Sequence, residues 1–162
     1  ASPTPIPSPL LLPPSEPSAA PTDLPVWTFQ SVLSSHCLGL APGEPVENAK
    51  VAQVECAAEA SQQWQLTDID AGETLTASLV NVASNRCLGF VSYLLVYEVV
   101  QESCRGDDAD QRWRIMDDAK GSVRLVAHNG SCLTVSQLVR QGIAPVQLSI
   151  CDGSLNQRWT VP

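Results

Sequence analysis

Apolar residues come along this chain in short runs rather than on a helical stripe. Val26–Val32, Val51–Glu55, Trp64–Thr67, Thr74–Val82, Val96–Gln101, Trp113–Met116, Val123–Ala127, Pro145–Ile150 and Trp159–Val161 are rich in Val, Leu and Ile, with Gly, Asn, Asp and Ser between them. No window sustains a 3.6-residue period with caps at its ends. The pattern therefore predicts an all-β protein made of many hairpins.

A longer period overlies this one. Gln-x-Trp occurs at Gln62-Gln63-Trp64, Gln111-Arg112-Trp113 and Gln157-Arg158-Trp159, with the tryptophans 49 and 46 residues apart. A fixed period of this size means one structural unit copied three times. The cysteines follow it. Cys37, Cys87 and Cys132 each precede a leucine, and Cys56, Cys104 and Cys151 each lie shortly before a Gln-x-Trp. Six cysteines allow 15 pairings in principle. The threefold register favours Cys37–Cys56, Cys87–Cys104 and Cys132–Cys151, with 18, 16 and 18 residues between partners. Zinc is the rival reading, but no Cys-x-x-Cys exists and the chain has only two histidines, which do not give the ligand spacing such sites need. Three units of about 45 residues cannot each bury a core alone, so they are expected to share one around a threefold axis.

Composition adds a boundary and excludes some partners. Residues 1–25 hold nine of the 13 prolines, two acids and no base, and form a Pro-rich arm or linker. Proline lacks a donor and disfavours helix before it, so the arm is expected to be extended. It reads either as a spacer or as an arm that docks on a neighbour or on its own domain, with Leu10 to Leu12 as the anchor. The body spans 26–162, with repeats at roughly 26–70, 71–118 and 119–162. A net charge of −8 with scattered bases speaks against nucleic acid. No run of 18 apolar residues is present to span a membrane. An even cysteine count points to an oxidising compartment, so a secreted or extracellular protein is expected, with the periplasm as an alternative. The chain starts Ala1-Ser2-Pro3 without basic or apolar leader regions, as a mature secreted chain does.

Three copies of Cys-Leu … Cys … Gln-x-Trp resemble the ricin-type β-trefoil lectins over residues 26–162. The resemblance implies four strands per repeat, about twelve in all, arranged as a six-stranded barrel capped by three hairpins. It also implies that Trp64, Trp113 and Trp159 are core, with Gln62, Gln111 and Gln157 bonding backbone beside them.

A sugar site of this family carries an aspartate two residues after the first cysteine, where this chain has Gly39, Gly89 and Thr134. An aromatic two residues before the second cysteine is replaced by Val54, Glu102 and Ser149. An amide four residues before that cysteine survives only as Gln147, against Ala52 and Val100. The asparagine before the Gln-x-Trp survives only as Asn156, against Ser61 and Asp110. No repeat keeps both acid and ring. The sugar-binding candidates are therefore Thr134, Gln147 and Asn156 of the third repeat, in an unconventional site.

The second repeat instead carries an apolar hairpin, Phe90 to Val100, holding both tyrosines. Phe90, Val96 and Val100 are expected to face the core. Tyr93, Leu94, Leu95 and Tyr97 crowd the tip and are candidates for contact with a protein partner. The third repeat offers a milder version in Leu138, Val139 and Ile143.

The acids from Gly106 to Asp110 lack the spacing of a calcium loop and read as a turn. Asn129-Gly130-Ser131 is both a glycosylation sequon and a favoured hairpin turn. His36 and His128 occupy no repeated position, and no motif of hydrolase, metalloprotease or phosphate-loop type appears. The expectation is a non-catalytic binding protein with no cofactor and no metal. It recognises a glycan, or else serves as a protein-interaction or carrier subunit of a secreted toxin-like complex.

Overall fold

The computed structural model describes residues 24–41, 47, 49–94, 96–118, 120–136 and 143–162. The arm, apart from Leu24 and Pro25, lies outside the described residues, as do Leu95, Leu138, Val139 and the side chain of Tyr93.

Thirteen strands are formed among the described residues: β1 (Val26–Trp27), β2 (Gln30–Ser31), β3 (Cys37–Leu40), β4 (Val51–Val54), β5 (Trp64–Ala71), β6 (Leu75–Asn81), β7 (Cys87–Tyr93), β8 (Val96–Glu102), β9 (Trp113–Asp117), β10 (Val123–Ala127), β11 (Ser131–Val135), β12 (Ala144–Ile150) and β13 (Trp159–Thr160). The one expected strand over 26–32 is split because its two halves have different partners. Val26 and Trp27 pair with β5, whereas Gln30 and Ser31 pair with β13 and β3. The ladder β1–β5–β6–β9–β10–β13–β2 returns to the same segment and closes the barrel. Counting β1 and β2 as one interrupted strand gives six staves.

Each repeat then leaves the barrel by the same step. Gln30 pairs with Cys37, Val80 with Cys87 and Val126 with Cys132, launching the hairpins β3–β4, β7–β8 and β11–β12. The hairpins meet one another through β12–β4, β12–β8 and a bridge between Lys50 and Val100. The launch turns need a left-handed residue, supplied by Ser35 (φ 64°), Asn85 (φ 58°) and Gly130 (φ 88°).

Three indoles fill the barrel. Trp64, Trp113 and Trp159 are each 0% exposed and pack among Leu38, Leu88, Leu133 and their neighbours. Each indole N–H donates to the carbonyl of the leucine after the first cysteine, Leu38 at 3.0 Å, Leu88 at 2.9 Å and Leu133 at 3.3 Å. Burying 150–250 Å² of ring at about 25 cal/mol per Å² contributes roughly 4–6 kcal/mol per tryptophan before entropy is counted.

The disulfides join Cys37–Cys56, Cys87–Cys104 and Cys132–Cys151, one within each repeat. Each Gln-x-Trp glutamine brackets the second cysteine of its pair. Its Nε2 donates to the residue before that cysteine: Glu55 O at 2.9 Å, Ser103 O at 2.9 Å, Ile150 O at 2.7 Å. Its Oε1 accepts from the residue after it: Ala57 N at 2.8 Å, Arg105 N at 2.8 Å, Asp152 N at 2.9 Å. The glutamine ends a one-turn 3-10 helix, which points its amide inward while the tryptophan two residues on enters the barrel.

Candidate functional site

The position two residues after the first cysteine lies on the hairpin face beside this glutamine clamp, and the three repeats treat it differently. In the first repeat the space is closed. A Cβ on Gly39 would meet Gln62 Cγ at 3.0 Å, the Ser61 carbonyl at 3.1 Å and Val54 Cγ2 at 3.4 Å. Leu40, Val51 and Ala52 around it are buried. At Gly39 itself there is no room for a side chain unless these neighbours move.

The third repeat gathers the three sugar-binding candidates around β11. Thr134 and Gln147 face one another across the β11–β12 ladder. Asn156, half-buried in the 3-10 turn Leu155–Gln157, extends Nδ2 to the carbonyl of Val135 at 3.5 Å. Their surroundings differ. Thr134 is buried, and its hydroxyl is engaged by Cys132 O at 2.9 Å, Ser149 Oγ at 2.6 Å and Gln157 Nε2 at 3.3 Å. It is part of the wall. Gln147 is exposed, and its other neighbour across the sheet is Glu98, which pairs with Lys50 Nζ at 2.9 Å. Ser154 Oγ holds the Asn156 amide from below while bonding Asp152 at 2.6 Å. The Ser154 hydroxyl and backbone amide keep the Asp152 carboxyl below the usual aspartate range.

In the second repeat the paired ladder, with seven residue pairs, is the longest of the three hairpins among the described residues. Phe90 and Val100 face inward as expected, but Val96 does not: it is 61% exposed. Val96 pairs with Tyr93 at the tip, beyond the stretch where β12 and the barrel cover β8. Leu94 is 98% exposed and sits at φ 54°, and Tyr97 is 38% exposed. The Phe90 ring makes a T-shaped contact with Tyr97 (5.6 Å) and stacks on His128 (5.8 Å). His128 Nε2 lies 2.6 Å from Asp110 Oδ1. Leu94, Val96 and Tyr97 thus form an apolar crest. Ile143 is only half-exposed, just before β12 begins to pair with β4.

The acidic turn before Gln111 is bonded internally. Asp108 takes Arg105 Nη2 at 2.8 Å and Nε at 3.1 Å, and caps the 3-10 turn by accepting from Asp110 N. The Arg105 guanidinium is the main reason its carboxyl lies below the usual range. Among the described residues no cluster of three or more His, Cys, Asp or Glu is placed to hold a metal. Asn129-Gly130 makes the turn between β10 and β11, with Gly130 N bonding Ala127 O at 2.9 Å. Sequence reading missed Lys50 and Glu98, because cross-strand register alone brings them beside Gln147.

Barrel, three hairpins, repeat-internal cystines and buried Gln-x-Trp residues define a β-trefoil of threefold repeated sequence. The pattern of the ricin-type beta-trefoil lectin domain matches residues 26–159, and the chain belongs to that family. Solved structures agree on the fold. The designed 3-fold symmetric protein ThreeFoil is similar at TM-score 0.75 and 27% identity, over 84% of this chain and 96% of that one. The cytolethal distending toxin of Actinobacillus actinomycetemcomitans gives TM-score 0.69 and 18% identity, over 91% and 93%. The Rhizoctonia solani agglutinin gives 0.67 and 19%, over 95% and 98%. No curated protein matches the chain in sequence. No helix among the described residues is long and apolar enough to cross a membrane.

Proposed function

We propose that this chain is a secreted, non-catalytic binding module that recognises a glycan through an unconventional site in its third repeat. Membership of a lectin-domain family supports the ligand class. Three cystines within one chain support an oxidising compartment. The observation that carries the reading is the convergence of two amides on β11: Gln147, exposed opposite Thr134, and Asn156, reaching Val135 O. Each amide offers one acceptor and two donors, the groups that pair with sugar hydroxyls. Thr134 closes the floor behind them.

A glycan array followed by titration tests this. Gln147→Ala with Asn156→Ala removes two hydrogen bonds worth about 0.5–1.5 kcal/mol each, so affinity for any glycan bound here drops about fivefold to a hundredfold. Unchanged affinity in the double variant removes the third repeat from the reading.

A second reading has its own observation. The crest of Leu94 (98% exposed), Val96 (61%) and Tyr97 suits a protein contact, with Tyr93 and Leu95 beside it in sequence. In this reading the chain is a carrier or interaction subunit of a secreted toxin-like complex, and the Pro-rich arm docks on its neighbour. An array without signal, together with a partner lost on Tyr93→Ser plus Leu95→Ser, favours it. Deleting residues 1–25 assigns the arm to one role or the other.

A further inference from the structure

The three repeats can be compared with one another on the outer wall of the barrel. Trp64 pairs with Trp27, Trp113 with Ala77 and Trp159 with Val123. The next step along each ladder sets Thr28 beside Gln63, Ser78 beside Arg112 and Arg124 beside Arg158. Side chains alternate along a strand, and Trp113, Ile115, Leu125 and Trp159 are buried in the barrel, so Arg114, Arg124 and Arg158 lie on its outer wall. In the second repeat the two side chains suit each other. Arg112 Nη1 donates to Ser78 Oγ at 3.4 Å and to Asp68 O at 2.7 Å. In the third repeat an arginine stands in the place of Thr28 and Ser78, opposite another arginine. Like charges directly opposite repel. Arg124 Nε is buried and makes no hydrogen bond among the described residues. Arg158 Nε stands 3.6 Å from Asp118 Oδ2, beyond hydrogen-bond reach, and that carboxylate is already held by the Ser122 hydroxyl and by the Lys120 and Ser122 amides. Arg114, diagonal to Arg124 on β9, has no ion pair among the described residues. A chain with 17 acids and nine bases thus leaves three arginines together and short of carboxylate. A buried N–H without an acceptor is costly, and here it marks the place of an anion.

The chain carries such an anion within reach. Residues 1–25 hold two acids, Glu16 and Asp23, and no base. They join the barrel at Pro25, whose carbonyl accepts from Leu66 N at 2.9 Å, on the stave formed by β1 and β2. That stave pairs with β13, so Arg158 is one stave away and Arg124 two. With strands about 4.8 Å apart and a rise of about 3.3 Å per residue, the arginine pair lies roughly 15 Å from Pro25. An extended proline-rich stretch from Glu16 to Leu24 spans about 25 Å, enough to turn back and cover that distance. Asp23, two residues from Pro25, reaches only about 7 Å. We propose that the Pro-rich arm folds back onto its own barrel and seats the Glu16 carboxylate between the guanidiniums of Arg124 and Arg158. A carboxylate accepts two N–H groups from a guanidinium at once, and its charge separates the two arginines. The arm is then the counterion of the third repeat, held on its own domain. The inference is independent of the glycan-binding reading above.

The test uses the full chain without any sugar, with backbone amide NMR as the readout. Glu16→Gln is expected to move the amides of Arg124 and Arg158 and to leave those of the second-repeat hairpin in place. Arg124→Ser, which copies the second repeat, is expected to move the Glu16 amide to its position in a synthetic peptide of residues 1–23. Either change lowers the ratio of docked to free arm about tenfold or more, and sodium chloride at about 1 M acts in the same direction. Arg124 and Arg158 amides that ignore Glu16→Gln overturn the proposal, and so does a Glu16 amide that ignores Arg124→Ser. A response that disappears on dilution assigns the contact to the arm of a second molecule and overturns it too.

Discussion

Replacing Gln62 by methionine tests whether the Gln-x-Trp glutamines are structural clamps. Gln62 is 3% exposed, and it bridges the chain on both sides of Cys56, donating to Glu55 O at 2.9 Å and accepting from Ala57 N at 2.8 Å. Methionine matches its length but can form neither bond. Each lost bond costs about 0.5–1.5 kcal/mol net, and more where the new side chain keeps water from the freed groups, which add about 1–3 kcal/mol when left unpaired. The two sites together give about 2–4 kcal/mol, or roughly 5–15 °C in Tm for a domain of this size. The disulfide does not rescue it, because Cys37–Cys56 constrains the unfolded chain equally in parent and variant. Urea unfolding under non-reducing conditions measures the difference. Gln63→Met, one residue along and half-exposed, is the control, expected within about 0.5 kcal/mol of the parent. A Gln62→Met cost no larger than that of Gln63→Met refutes the clamp.

Two further outcomes follow from the same structure. Trp113→Ala empties the volume of a fully buried ring and is expected to cost about 3–5 kcal/mol, while Trp113→Phe costs less but strands the Leu88 carbonyl that the indole holds at 2.9 Å. Calorimetry that finds Trp113→Phe equal to the parent removes that bond from the account. The second concerns acid. Asp118 is held below the usual aspartate range by the Ser122 hydroxyl first, then by the Lys120 and Ser122 amides and by Arg158. A carboxyl lowered in the folded state contributes stability that is present above the unfolded value of about 3.9 and is lost as pH falls through the folded value. The Tm gap between the parent and Asp118→Asn is therefore open at neutral pH and closes in acid below about pH 4. A gap that widens on acidification contradicts the assignment.

The fold was legible because its period is carried by scarce residues. Three of the four tryptophans and all six cysteines stand in register, and each pair closes within its own repeat. The strands that escape pattern reading are β3 and β11, together with the first half of β7, which shows only from Phe90 on as one arm of the apolar hairpin. They begin at the Cys-Leu motifs, and glycine at 39 and 89 breaks the β-branched signal that marks a strand. The 3-10 turns escaped as well, since three residues are too few to show a period. At the sites, the resemblance to the lectins pointed to the third-repeat amides but could not show that the Thr134 hydroxyl is taken by Ser149, which stands opposite Cys132 on the next strand. Nor could it tell that Val96 turns outward. Alternation assigns faces, but where cover ends depends on how far β12 reaches along β8.

Because the backbone is common to the three repeats, their differences cannot be charged to the fold. At the position after each first Cys-Leu, the first repeat has a glycine roofed by Val54 and the Ser61 carbonyl. The second has a glycine roofed by the carboxylate of Glu102, and the third has a threonine bonded to Ser149. The same clamp lies under all three, since Gln62, Gln111 and Gln157 make the same pair of bonds around a cystine. The clamp therefore holds with three different fillings above it. A sealed apolar filling adds to the core and binds nothing. A neutral hydroxyl pair satisfies itself. A carboxylate takes the same space in the second repeat, with Gln111 Nε2 and Arg105 Nη2 each at 3.5 Å, so the same backbone also carries a charged filling.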